Sequence, residues 1–151
     1  MSLWKWWTAV AGVALVIGGV AWVLKLSVII ATDGRVVATG AAGAFLDLGF
    51  YSLLVGSTGL GLRLTKKERN PITRIAAAVG SPVAFVVSFF VFQLVGYALI
   101  AAGRIVSGDA LPSYLLEEGG IIIAAVVWLV IGMWLLVGLA LRRADPRLRV
   151  R

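Results

Sequence analysis

The chain has 151 residues, of which 61% are hydrophobic and only 14% are charged, and its formal net charge is +7 at pH 7. Soluble domains contain about a quarter charged residues, so this composition favours an integral membrane protein. The chain contains no cysteine and no histidine. This excludes disulfides, thiolate chemistry and the commonest ligands of zinc and haem. We therefore predict no catalytic, metal or cofactor site and no enzymatic activity.

Four apolar stretches follow one another along the chain, each longer than the about 20 residues that a helix needs to cross a bilayer. Their interiors must be helical in a membrane, because lipid cannot satisfy exposed backbone groups. The sequence thus predicts an all-α fold, an integral membrane four-helix bundle formed by a single domain over 1–151. The predicted spans are about 4–30, 36–62, 72–102 and 120–141.

The segments between the predicted spans have ordinary loop chemistry. The first connection contains an Asp-Gly pair, which indicates a tight turn, so the first two spans are expected to form an antiparallel hairpin. A basic loop over 63–71 joins the second and third spans, and a longer loop over 103–119 joins the third and fourth. Within that longer loop, residues 111–118 are predicted to form a short helix on the membrane surface.

Lys5 lies at the start of the first span, and further basic residues are concentrated between the second and third spans and after the fourth. The 63–74 segment and the 142–151 tail each contain five basic residues and one acidic residue, a net charge of +4 each. Four spans place these segments on one side, and lysine and arginine favour the cytoplasmic side. We therefore expect both termini inside (N-in/C-in). A cell membrane is expected, with a vesicle or viral membrane as the alternative.

The basic segments are expected to contact anionic lipid headgroups, with an acidic partner protein as the alternative. Nucleic acid is not expected as a partner, because no aromatic residues alternate with the arginines of the tail. The residues predicted to make these contacts are Arg63, Lys66, Lys67, Arg69, Arg142, Arg143, Arg147 and Arg149.

Small residues recur on one face of several spans, and in lipid such faces allow helix backbones to approach closely. In the first span the steps of four and three between these residues place them on one face. In the second span the glycines are spaced by a heptad. The predicted packing residues are Ala14, Gly18, Ala21, Gly49 and Gly56.

A proline interrupts the third span. Pro82 has no backbone N–H, so it removes one helical hydrogen bond and is expected to bend the helix. We interpret the bend as packing geometry, with a gating hinge as the alternative interpretation.

Polar side chains within the spans are the main candidates for function. Lys25 and Asp47 lie at similar distances from the turn between the first two spans. An isolated charge at the centre of a bilayer costs about 3 kcal/mol on insertion scales, so these two charges are expected to pair. Tyr51, one helical turn from Asp47, and Gln93 of the third span are predicted to complete an intramembrane polar cluster.

Two functions are compatible with this cluster. In the first, the cluster is a clasp that fixes the register of the helices. The protein is then a scaffold, assembly or membrane-shaping component that forms homo-oligomers or joins a larger membrane complex. In the second, Asp47 binds protons or cations in a small transporter or channel. The single deeply embedded acid and the apolar inner halves of the spans favour the first function.

Overall fold

A computed structural model of the protein describes residues 3–32, 35–36, 39–102 and 119–144. Within these residues there are four α-helices: α1 (Leu3–Ala31), α2 (Gly40–Leu64), α3 (Pro71–Ala101) and α4 (Gly119–Ala144). By length and composition, each helix is able to span a membrane. The prediction of an all-α protein is confirmed, with four helices that are each long and apolar enough to span a membrane. The surface helix predicted over 111–118 lies outside the described residues.

The second helix begins four residues later than the apolar pattern suggests. Gly40 has a φ of +57°, in the left-handed region that favours glycine. Thr39, just before it, is extended, with a φ of −118° and a ψ of 164°. The chain therefore changes direction at these two residues, and Val36, although apolar, remains outside the helix. At the other end of the bundle, α4 continues to Ala144.

The helices α1 and α2 pack antiparallel, and glycines occupy their closest contacts. A Cβ atom at Gly18 would lie 2.7 Å from Cδ2 of Leu53, and one at Gly56 would lie 2.6 Å from Cγ of Leu15. Carbon atoms pack at about 3.5–4.0 Å, so a larger residue at either position would need the facing leucine side chain to shift. Glycine at these positions allows the two helices to pack closely without such a shift.

A second face of α1 packs against α4. A Cβ atom at Gly12 would lie 2.8 Å from the side chain of Leu136, and one at Gly19 would lie 2.9 Å from Cβ of Leu129. Residue numbers increase along α1 as they decrease along α4, so this pair is also antiparallel. The helix α1 is therefore held between α2 and α4, whereas α3 packs against α2 and α4 from the remaining side.

The third helix is the least buried of the four. Only 6% of its apolar segment lies inside the bundle, against 39% for α1 and 33% for both α2 and α4. Pro82 lies inside α3, which continues as an α-helix from Pro71 to Ala101. The bend predicted at Pro82 stays a prediction.

Aromatic rings from all four helices meet in the middle of the bundle and form what we call the aromatic layer. The ring centroids of Trp22 and Phe89 are 5.7 Å apart, and those of Phe85 and Trp128 are 5.5 Å apart. Phe50 completes the layer, 6.0 Å from Phe85. Such separations are typical of favourable aromatic contacts. The layer therefore links all four helices at one level.

A leucine layer follows the aromatic layer in the direction of the N-terminus of α1. It consists of Leu15, Leu53 and Leu135, contributed by α1, α2 and α4, and each is 0% exposed. Full burial of a leucine side chain contributes about 1.5–3 kcal/mol. These two apolar layers separate the two ends of the bundle, where the charged residues lie.

Candidate functional site

A cavity of about 420 Å³ lies at the end of the bundle where α1 ends and α2 begins. We call it the polar cavity, because Lys25, Asp47 and Gln93 all line it, and Ile121 of α4 completes the wall. All four helices therefore contribute to this cavity. Its apolar lining includes three residues of the aromatic layer, namely Trp22, Phe50 and Phe89.

The three polar residues lie well within their helices. Lys25 is six residues before the end of α1, Asp47 is seven residues after the start of α2, and Gln93 is eight residues before the end of α3. At about 1.5 Å per residue, these positions are about 9–12 Å inside the helix ends. Antiparallel packing thus brings the three residues to a similar level in the bundle. For Lys25 and Asp47 this agrees with their similar distances from the turn between the first two spans.

Lys25 is only 2% exposed. Removing an ammonium group from water is costly unless charges or hydrogen bonds compensate it. Asp47 lies at the mouth of the same cavity, where its side chain is exposed. The structure therefore places groups of opposite charge around one cavity, with the cation on the inside.

Gln93 joins α3 to α4. Its side-chain oxygen Oε1 accepts a hydrogen bond of 3.1 Å from the backbone N–H of Gly120. This N–H belongs to the first turn of α4, where backbone donors have no partner within the helix. A Cβ atom at Gly120 would lie 2.8 Å from Cα of Gln93. The contact between the two helices therefore needs both the amide of Gln93 and a glycine at position 120.

Trp22 joins α1 to α2, and sequence reasoning did not single it out. Its indole Nε1 donates a hydrogen bond of 3.2 Å to the backbone oxygen of Leu46. The indole covers Gly49 so closely that a Cβ atom there would overlap the ring. The sequence contains only an indirect signal, because the spacing of Gly49 predicts a packing glycine but does not identify a tryptophan as its partner.

Tyr51 does not line the polar cavity. Its side chain is 66% exposed and lies along a separate groove between α1 and α2, together with Ala14 and Val55. Four residues advance a helix by about 40° beyond a full turn. Tyr51 is thereby rotated toward the separate groove, whereas Phe50, rotated by about 60° in the other direction, lines the cavity.

The predicted packing residues divide in the same way. Ala14 is half-buried in that outer groove, whereas the other four are buried inside the bundle: Gly18, Ala21, Gly49 and Gly56. The small-residue face of α1 is therefore rotated slightly away from Ala14. Its buried part includes Lys25, which continues the row into the polar cavity.

A second, smaller cavity of about 110 Å³ lies at the opposite end of the bundle, where α1 begins and α2 and α4 end. We call it the basic pocket. Its charged lining consists of Lys5, Arg63, Lys66 and Arg142. Thus three of the residues predicted to contact anions converge on one site, together with a lysine of α1 that was not among them.

The remaining predicted basic residues have other positions. Lys67 and Arg69 are exposed in the connection after α2 and do not line the basic pocket. Arg143 lies in α4, but its side chain is outside the described part of the structure, as are Arg147 and Arg149.

No protein family, curated protein or solved structure matches this chain. By composition, its four apolar helices indicate a multi-pass membrane protein. Among the described residues, no group of three or more histidine, cysteine, aspartate or glutamate side chains is arranged to hold a metal ion. The polar cavity and the basic pocket are therefore the two candidate functional sites.

Proposed function

We propose that this protein is a non-enzymatic scaffold or assembly component of a membrane, and that it self-associates or joins a larger membrane complex. The observation that supports this role is the use of the polar cavity to join helices. Gln93 bonds to the start of α4, and Trp22 bonds to the backbone of α2. Lys25 is enclosed at the same level. Side chains of these types in an apolar bundle fix helix register.

The apolar layers beside the cavity also favour a static role. Leu15, Leu53 and Leu135 are fully buried between the polar cavity and the basic pocket. An ion leaving the cavity toward the basic end would meet apolar side chains, where a charge is costly. This arrangement is better suited to a bundle with a fixed shape than to a bundle that conducts ions.

The proposed orientation places the basic end of the bundle inside the cell. The antiparallel helices bring the starts of α1 and α3 and the ends of α2 and α4 to one end, with Lys5, Arg63, Lys66 and Arg142. Lysine and arginine near the ends of spans favour the cytoplasmic side. The natural sequence has no cysteine, so single cysteines report the orientation directly.

The labelling experiment uses Arg35→Cys at the opposite end and Lys66→Cys at the basic end, in intact cells with a membrane-impermeant maleimide. We expect labelling of Arg35→Cys at once and of Lys66→Cys only after lysis. The reverse pattern would invert the proposed orientation, and equal labelling of both in intact cells would contradict a bundle that spans the membrane.

A double-mutant cycle tests the clasp. We expect Lys25→Met and Asp47→Asn each to lower the free energy of unfolding, because each leaves the opposite group in the cavity with less compensation. The double variant should recover part of the loss, with a coupling energy of about 0.5–3 kcal/mol. Lys5→Met, an exposed lysine of the same helix, is the matched control and should have little effect. The measurement is reversible unfolding in detergent micelles.

A cycle without coupling, in which the two losses simply add, would argue against the clasp.

The oligomeric state in nanodiscs then tests the assembly role. A protein that remains a monomer in nanodiscs, and copurifies from its native membrane without other proteins, would contradict a scaffold.

The second candidate function is transport of protons or small cations. The observation that favours it is the cavity itself, which all four helices line and at whose mouth Asp47 is exposed. Transport predicts that Asp47→Asn folds as well as the wild type but abolishes flux into reconstituted vesicles. A clasp predicts the opposite, a less stable variant and no flux in the wild type.

A further inference from the structure

The basic pocket contains four cationic side chains from four parts of the chain. Lys5 comes from α1, Arg63 from the end of α2, Lys66 from the connection that follows, and Arg142 from the end of α4. A cavity holds one water molecule in about 10–15 Å³. A volume of about 110 Å³ therefore admits a group as large as a phosphate.

The positive charge in this pocket is not neutralised within the described structure. None of the four cations forms an ion pair with a described acidic residue. The guanidinium of Arg63 lies 5.5 Å from the ring centroid of Trp134. The positive charge of Arg142 repels that of Arg63. Like charges held close together repel each other. The arrangement is therefore most stable when an anion lies between them.

The remaining wall of the pocket is apolar and lies beside the spans. Trp4 lines it, and its ring is held by the guanidinium of Arg74, 4.6 Å from the ring centroid. Leu139 and Gly138 line it from α4. A Cβ atom at Gly138 would meet nothing within 4 Å, so there is space for a larger side chain at this position of the pocket wall. An apolar wall beside a cluster of cations suits a lipid better than a fully hydrated anion.

We propose that the basic pocket binds the phosphate of an anionic phospholipid headgroup, with a preference for headgroups that carry two negative charges. Arg63 and Arg142 supply the paired N–H donors that match phosphate geometry. Lys5 and Lys66 supply the flanking charge. The proposal is independent of the scaffold function. It also assigns specific binding to a pocket that excludes Lys67 and Arg69.

The charge arm of the test compares lipids at equal total charge. The wild-type protein in micelles of dodecylphosphocholine, a zwitterionic detergent, is mixed with phosphatidic acid or with phosphatidylglycerol, and bound lipid is counted by native mass spectrometry. We expect stronger retention of phosphatidic acid. Arg142→Gln should weaken that retention about fivefold, the equivalent of one basic residue near a membrane. Lys67→Gln removes the same charge outside the pocket and should weaken it much less.

The steric arm blocks the pocket without changing any charge. Gly138→Leu places a side chain in the open space and should abolish the preference for phosphatidic acid. Gly80→Leu is the matched control, because a Cβ atom at Gly80 of α3 also meets nothing within 4 Å. Circular dichroism and size-exclusion chromatography establish that both variants keep the wild-type fold before lipid is added.

The outcomes separate a lipid site from diffuse attraction and from a site for free phosphate. Equal retention of lipid by the wild type, Gly138→Leu and Arg142→Gln would overturn the proposal, because surface charge alone would then explain it. A third arm adds inorganic phosphate to the lipid-free protein. Phosphate binding that Gly138→Leu removes, without any retention of phosphatidic acid, would overturn the assignment to lipid.

Discussion

The two ends of the bundle use charge in opposite ways. A lysine and an aspartate line the polar cavity. The neighbouring side chains of Trp22 and Gln93 form hydrogen bonds to other helices of the same chain. The basic pocket has four cations and no described anion. One end is therefore held together by contacts within the chain, whereas we propose that the other binds an anion from outside.

This difference predicts that similar changes have unequal effects at the two ends. Side chains at the cavity end are tied to other helices, so changing them should destabilise the fold. Side chains at the basic end face open space or one another, so changing them should affect stability little or even improve it.

The largest contrast is expected between two tryptophans. Trp22 is 1% exposed, whereas Trp134, near the basic end, is 65% exposed and contacts Arg63. Trp22→Ala should lower the free energy of unfolding by about 3–5 kcal/mol, because it leaves a void at the level of the aromatic layer. Trp134→Ala should cost about 1 kcal/mol or less, the value of an exposed cation–π contact. Equal losses of unfolding free energy in the two variants, measured by equilibrium unfolding, would contradict the expected difference in stability between the two ends.

The next contrast uses two glycines of the same helix. Gly120→Ala should destabilise by about 1–3 kcal/mol, because its new methyl group meets the backbone of Gln93. Gly138→Ala meets open space, so it should stabilise the helix by up to about 1 kcal/mol. Thermal unfolding of the two variants in the same detergent measures both effects. A loss of stability in Gly138→Ala would show that the basic pocket is more closely packed than described.

The smallest contrast concerns a single charge. In neutral detergent without anionic lipid, Arg142→Gln should raise the free energy of unfolding by about 0.2–0.5 kcal/mol, because it removes repulsion between like charges. The gain should vanish in about 1 M salt, where the screening length falls to about 3 Å. Lys25→Met, by contrast, should destabilise at both salt concentrations. Unfolding titrations at low and high salt compare the two variants. A higher free energy of unfolding in Lys25→Met would contradict a stabilising role of Lys25 in the polar cavity.

The four helices were predictable because the physical requirement is simple. A bilayer demands about 20 apolar residues and internal hydrogen bonding for each span, and both properties can be read from composition. The start of α2 was less predictable. Val36 fits an apolar pattern, but the positive φ of Gly40 decides where the helix begins, and that angle depends on the local turn.

The sites were predictable only where depth alone sets the position. Lys25, Asp47 and Gln93 line one cavity, and the distances of Lys25 and Asp47 from the first turn predict a common level for these two. Tyr51 failed to join them because a rotation of about 40° moves it to another face. Whether such a rotation moves a side chain out of the cavity depends on how the helices cross. The spacing of residues in the sequence does not give the crossing geometry.

The basic pocket shows the same limit for charge. The net charge of the 63–74 segment marks a basic region, but it treats Lys66 and Lys67 alike. In the structure Lys66 lines the pocket and Lys67 does not. Neighbouring residues in a tight connection point in different directions, so only the three-dimensional arrangement separates a binding residue from a solvated one.

The position of α1 between α2 and α4 has a consequence for the order of assembly. One face of α1, containing Gly18, can pack as soon as the second helix emerges from the ribosome and enters the bilayer. The other face, containing Gly12 and Gly19, must wait for α4, the last of the four helices in chain order. Until then those two glycines leave an unfilled groove along α1, so the first of these four helices to be made is also the last to be fully enclosed.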